Sequence, residues 1–213
     1  YLIFFLICFQ GFIGWYMVSS GLIDRVDVSH FRLSVHLLVA FIILSLIFWN
    51  YLKIKIKNNI QNTINIIYPL SFLFLVFVQI SIGAFVSGMD AGKIYNSWPL
   101  MGNSIFPNDN NVSNLFKLSA FSDPSLVQFI HRNLAYLISF FYLYIFFKVH
   151  RNKITSLYKP VNILGFFIIL QVVLGIFTLL YGAQIIIASM HQISSIFLVT
   201  ACIYFYFINT KTN

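Results

Sequence analysis

Three histidines stand at matching places in this sequence: His36 just after Leu33, His131 after Leu126 and His191 after Ile185, each near the start of an apolar run. An imidazole in such a place can ligate a metal or carry a proton. A lone histidine there is equally well explained by a bond to a neighbouring backbone group or by reach towards the interface. Three at one depth favour a shared function, because ionisable groups inside lipid are costly unless partnered. At 1.5 Å of rise per residue, each ring is predicted roughly 5–9 Å below one membrane boundary.

The remaining side chains narrow the ligand. Zinc prefers three or four close ligands, often with thiolates or carboxylates. No acid falls within the apolar runs, and Cys8 and Cys202 lie in them without any paired spacing. Both cysteines read as small buried core residues. Haem iron asks only for one or two imidazoles and an apolar slot, which the Phe-rich, glycine-containing runs suit. Arg132 beside His131, and Arg32 four residues before His36, are candidates for haem propionates, since guanidinium groups bind carboxylates bidentately. An ordinary interfacial arginine is the alternative for each. His30, in a loop, and His150, in a basic cluster, read as solvated.

The elements that must position these residues are membrane spans. Of 213 residues, 60% are hydrophobic and 8% charged, where a soluble domain carries about 25%. A water-soluble fold is excluded. A span needs roughly 20 apolar residues, and six stretches qualify: 1–18, 33–51, 66–86, 126–147, 160–181 and 185–208. Their continuous rather than alternating character predicts helices, not a barrel, hence an all-α polytopic bundle. Lys53, Lys55, Lys57, Lys148, Arg151, Lys153, Lys159 and Lys211 cluster on one side. All five acids, Asp24, Asp27, Asp90, Asp109 and Asp123, fall on the other. The positive-inside rule then predicts a cytoplasmic C-terminus and a long outer loop from Ser87 to Ser125. The net charge of +8 thus follows topology: membrane lipid is the expected partner, and nucleic acid is not.

Gln10, Gly14 and Gly21 repeat the spacing of Gln171, Gly175 and Gly182, and a histidine-bearing helix follows each set. Such repeats place sites at related positions in two halves. A four-helix unit predicts an eight-span protein lacking its first two helices here. Residues 1–57 would then close the first half and residues 58–213 form the second. Tyr1, opening directly on an apolar run without a leader pattern, fits that expectation. The segment Gly83–Gly92 reads as a packing and turn element, with Trp98 and Pro99 as an interfacial cap.

The run GAFVSGMDAGKIYNSWPLMG (83–102) closely resembles the haem A synthase family. So do GWYMVSSGL (14–22), VSHFRLSVHL (28–37), IHRNLAY (130–136) and MHQ (190–192). The resemblance implies eight helices in two halves and stepwise oxidation of a haem O methyl group, through an alcohol, to the formyl of haem A. It implies His131 and His191 as axial ligands of a haem b cofactor, with Arg132 beside them, and His36 as the catalytic candidate in the half that takes haem O. It further implies a bacterial inner membrane or a mitochondrial one. Haem O synthase and terminal oxidase assembly factors become candidate partners, and a homo-oligomer a candidate state. The family's glutamate and second histidine of the first half have no counterpart here, so this chain alone is expected to be inactive. The rival readings are a b-type membrane cytochrome that only transfers electrons, and a transporter with inverted repeats.

Overall fold

The computed structural model describes residues 1–21, 28–56 and 63–210. Six long helices account for most of them: α1 (Leu2–Gly21), α2 (His30–Lys55), α3 (Ile67–Gly88), α4 (Pro124–Arg151), α5 (Tyr158–Leu180) and α6 (Ile185–Thr210). All six are long and apolar enough to cross a membrane, which makes this a multi-pass membrane protein. No strand forms among the described residues. An isolated bridge between Met101 and Ser104 is the only extended pairing there. In lipid the helix satisfies its own backbone groups, so an unbroken apolar run has no other open-chain solution. Asp24, Arg25, Asp27, Lys57 and Lys211, used above to orient the chain, lie outside the described residues.

The helix ends follow local chemistry. Asp123 caps α4 by accepting from Leu126 N–H at 3.0 Å, and Pro124 fills the first helical position, where its missing N–H costs nothing. Lys53 and Lys55 end α2, and Lys148, His150 and Arg151 end α4, placing cations on the negative pole of each helix. Beyond α5 the chain turns through Gly182 at φ 63° and Ala183 at φ 56°.

Helices α3 to α6 form a square bundle. Each packs on its neighbour round the ring, α6 returns to α3, and α4 and α6 lie on one diagonal. Helix α2 rests against α3 and α6, and α1 packs on α2. The tight part of this bundle lies where α3 and α5 begin and α4 and α6 end. There Phe72, Ile145, Leu157, Val161, Leu164 and Phe205 are fully buried. Tyr142 lies over Gly165, where any side chain would collide with its hydroxyl. Asn209 closes this end by exchanging two 2.9 Å bonds with the backbone of Ile64.

Two readings are corrected. His30 begins α2 rather than lying in a loop. It is half-buried, with its ring edge-on to Phe85 at 5.3 Å and its backbone tight against Gly88. Cys8 is exposed on α1, which among the described residues packs chiefly on α2; Cys202 is buried as expected.

Candidate functional site

The three histidines occupy equivalent turns. His36 is the seventh residue of α2, His131 the eighth of α4 and His191 the seventh of α6, about 10 Å along each axis. Each is held by the helix preceding its own through the same pair of residues. Gln10 on α1 donates to the His36 backbone carbonyl at 3.0 Å and lies 3.2 Å from the ring Nε2. Gln79 on α3 donates to the His131 carbonyl at 3.0 Å and lies 3.3 Å from its Nε2. Gln171 on α5 donates to the His191 carbonyl at 3.0 Å. Four residues after each glutamine stands a glycine: Gly14, Gly83 and Gly175. A Cβ on any of them would lie 3.1–3.2 Å from the facing imidazole Cε1. One helix turn thus supplies a hydrogen-bond donor and, above it, the space for a ring.

The Gln79–Gly83 pair is a third copy that the sequence comparison missed. The template there demanded a second glycine eleven residues after the glutamine, and position 90 is Asp. The structure shows why Asp serves: Asp90 takes φ 53°, beside φ 63° for Gly182, and Asp is among the few residues that tolerate this left-handed region. The unit is therefore a two-helix hairpin occurring three times. The signal that finds it is Gln-x-x-x-Gly followed seven residues later by Gly, Asp or Asn.

His131 and His191 project from the two helices on one diagonal of the bundle. The layer around them is loosely packed. Across 77–81, 129–137, 169–180 and 185–198, Ser194 is the one fully buried side chain. The Nδ1 atoms of His36, His131 and His191, and the Oε1 atoms of Gln10 and Gln79, are buried without a hydrogen-bond partner. Buried polar atoms seldom stay unpaired. Paired imidazoles, glycine cradles and a loosely filled apolar layer fit a flat, iron-bearing macrocycle. Among the described residues, no three His, Cys, Asp or Glu side chains converge as a bare metal ion would require. The apolar groove lined by Leu38, Ile42, Phe74 and Phe77, between α2 and α3, has Ser81 as its one polar side chain, and that hydroxyl already donates to Phe77 O.

Arg132 has a role that sequence did not suggest. Its Nη2 donates to Tyr95 O at 2.9 Å, and its Nη1 donates to Ser97 O at 2.9 Å and Leu100 O at 3.3 Å. Gln128 adds a 3.1 Å bond to Tyr95 O, and Trp98 donates from Nε1 to the Tyr136 hydroxyl at 2.9 Å. The outer loop is thereby stapled onto α4. Asn96 reaches the other way, donating to Leu179 O near the end of α5 at 2.9 Å. Asp109 accepts from Ser125 Oγ at 2.6 Å and from the Tyr95 hydroxyl at 2.9 Å. The Ser125 bond, with help from Tyr95, holds its carboxyl below the ordinary range, while burial, with Asp109 nearby, pushes the Tyr95 phenol up. Arg32 lies 5.0 Å above the Tyr16 ring. His150 is not merely solvated: it stacks on Tyr158 at 4.5 Å and bonds to Phe146 O at 2.9 Å.

Fold and site together define a multi-pass membrane protein whose helical hairpins each present one imidazole at the same depth. The chain matches the COX15-CtaA family of cytochrome oxidase assembly proteins over residues 1–203 and belongs to it. It is similar to "Heme A synthase" of Pelagibacter ubique, 47% identical over 216 residues, covering 100% of this chain and 62% of that protein. It is similar to the proteins of that name from Rickettsia bellii, at 40% identity over 206 residues (94% and 61%), and Rickettsia felis, at 39% over 208 (95% and 61%). The chain spans about 62% of the length of the curated relatives it matches.

Proposed function

We propose that this protein works as a haem A synthase, an oxidoreductase that converts a methyl group of haem O, through an alcohol, to the formyl group of haem A. The observation that carries the reading is the pair of imidazoles on diagonal helices, His131 and His191, each set against a glycine in a loosely filled layer. These two residues would hold a haem b, which supplies one-electron transfer. With both histidines engaged as its ligands, that haem would carry electrons, and the oxidation of haem O would fall to the first half, of which residues 1–57 supply the last two helices, beside His36. Gly83 and Gly175 make room for the ligating rings, and Arg132 beside His131, whose Nη atoms hold the loop and whose Nε has no partner, would be the cation offered to a propionate.

The same reading places the protein in a bacterial inner membrane, or alternatively a mitochondrial one, with the lysine-rich ends and the C-terminus on the cytoplasmic or equivalent side. Haem O synthase would deliver the substrate, oxidase assembly factors would receive the product, and copies of the chain could associate.

The test is to express the complete protein in membranes supplied with haem O and to extract the haems. A formyl haem supports the enzyme, whereas unchanged haem O beside an intact b-type spectrum would make it an electron-transfer cytochrome. His131→Ala and His191→Ala should each abolish the low-spin haem b spectrum. Normal spectra in both would remove the ligand assignment.

A further inference from the structure

We infer that Gln10 and Gln79 are positioning residues that fix which nitrogen of their histidine carries the proton, and that Ser194 exempts His191 from this control. The part concerning His131 and His191 rests on the haem reading above. The argument begins at the backbone. A peptide carbonyl only accepts, so the Gln79 atom 3.0 Å from His131 O is the amide nitrogen. That NH2 is a donor only, so its 3.3 Å contact with the ring makes Nε2 the acceptor. A neutral imidazole has one acceptor nitrogen, and the proton therefore sits on Nδ1. Gln10 imposes the same form on His36, at 3.0 Å from the carbonyl and 3.2 Å from Nε2. An imidazole nitrogen binds iron only when unprotonated. The glutamines thus keep Nε2 unprotonated, its single lone pair resting on the amide N–H until that bond opens to a ligand.

The third hairpin departs from this. Gln171 again donates to the histidine carbonyl, but its amide also bonds to Ser194 Oγ at 2.7 Å, and the Ser194 hydroxyl donates to the same carbonyl at 2.9 Å. Ser194 lies three residues after its histidine. The corresponding residues are Val39 and Leu134, which offer no hydrogen-bonding group. The serine draws the amide off the ring, leaving His191 placed by its carbonyl and by Gly175 alone. The two histidines of one bundle are consequently unlike: His131 is held in one orientation and His191 is freer to turn about its Cβ–Cγ bond.

Two measurements on the full chain in lipid nanodiscs test this. With 15N-labelled histidine, His36 should report an Nδ1–H ring, and Gln10→Met should move it towards Nε2–H. An unchanged ring would overturn the assignment. For the bundle, the low-spin ferric haem signal in electron paramagnetic resonance reads how the ligand rings are oriented. Gln79→Met should shift its largest g-value. Ser194→Ala should shift it while Gln171 is present and be silent in a Gln171→Met background. No shift in the first, or equal shifts in both backgrounds, would overturn the positioning role. If Gln79→Met loses haem, Gln79→Asn, which keeps an NH2 on a shorter arm, should recover more of it than Met does; equal loss would count against the proposal. A parent chain with no low-spin haem would instead remove the haem reading, and the 15N spectra of His36 and His131 would still decide whether the glutamines set the rings.

Discussion

The two ends of the α3–α6 bundle are built on opposite plans. At one, Phe72, Leu157, Leu164 and Phe205 fill the interior and Tyr142 sits flush on Gly165. Towards the other, in the layer level with the histidines, glycines face imidazoles and Ser194 alone is buried across 77–81, 129–137, 169–180 and 185–198. Lipid tails are as apolar as leucine, so helix association in a bilayer draws on close packing and polar contacts rather than on escape from water. The closed end supplies the packing. The open end supplies two interhelical glutamine contacts per hairpin, each worth about 0.6 kcal/mol and up to ~1.7 kcal/mol. The division implies that the closed end carries stability so that the other can remain loose enough to take a ligand.

Breaking the closed end should have the largest effect. Phe205→Ala removes a fully buried ring and should lower stability by about 3–5 kcal/mol, read as unfolding in mixed micelles. If it lowered haem retention without changing stability, the two ends would not be separable in this way. Gly83→Leu acts at the open end. Its side chain would displace the His131 ring, already 3.2 Å from the Cβ position, and should reduce haem affinity by about 10- to 100-fold with the helical circular dichroism unchanged. Arg132→Ala removes a donor from three loop carbonyls, of which Tyr95 O keeps Gln128 and Leu100 O keeps Ser97 Oγ. It should loosen the loop by about 1–3 kcal/mol, seen as faster proteolysis within 89–123.

The smallest effect concerns pH. Asp109 has a folded pKa below its ordinary value, so its bonds to Ser125 and Tyr95 stabilise the loop above that value and are lost as pH falls through the lowered one. Loop proteolysis should therefore quicken in that acidic window. Because the carboxylate is exposed the change is modest, and Asp109→Asn should flatten it.

Much of this was legible in the sequence. The apolar runs located all six helices to within a few residues at each end, because span length is set by the bilayer. The histidines were legible because polar groups stand out against such runs. Gln79 was not, since one glutamine in an apolar run has no distinguishing spacing until its histidine partner, 52 residues on, is placed beside it. The work of Arg132 was hidden for a related reason: its acceptors are backbone carbonyls, which every residue possesses. His30 was misread because the helix begins three residues before its first obvious apolar repeat.

The covalent link between α4 and α5 runs through residues 152–157, at the closed end, so nothing in the chain's path sets how far apart these helices stand beside the histidines. Residues 95–97 do so instead, gripped by Arg132 on one side and joined through Asn96 to the last turn of α5 on the other. This short strip works as a spreader bar across the mouth of the slot. The width offered to a guest is thus governed from the aqueous rim, by backbone carbonyls on the α4 side and by the Asn96 amide on the α5 side.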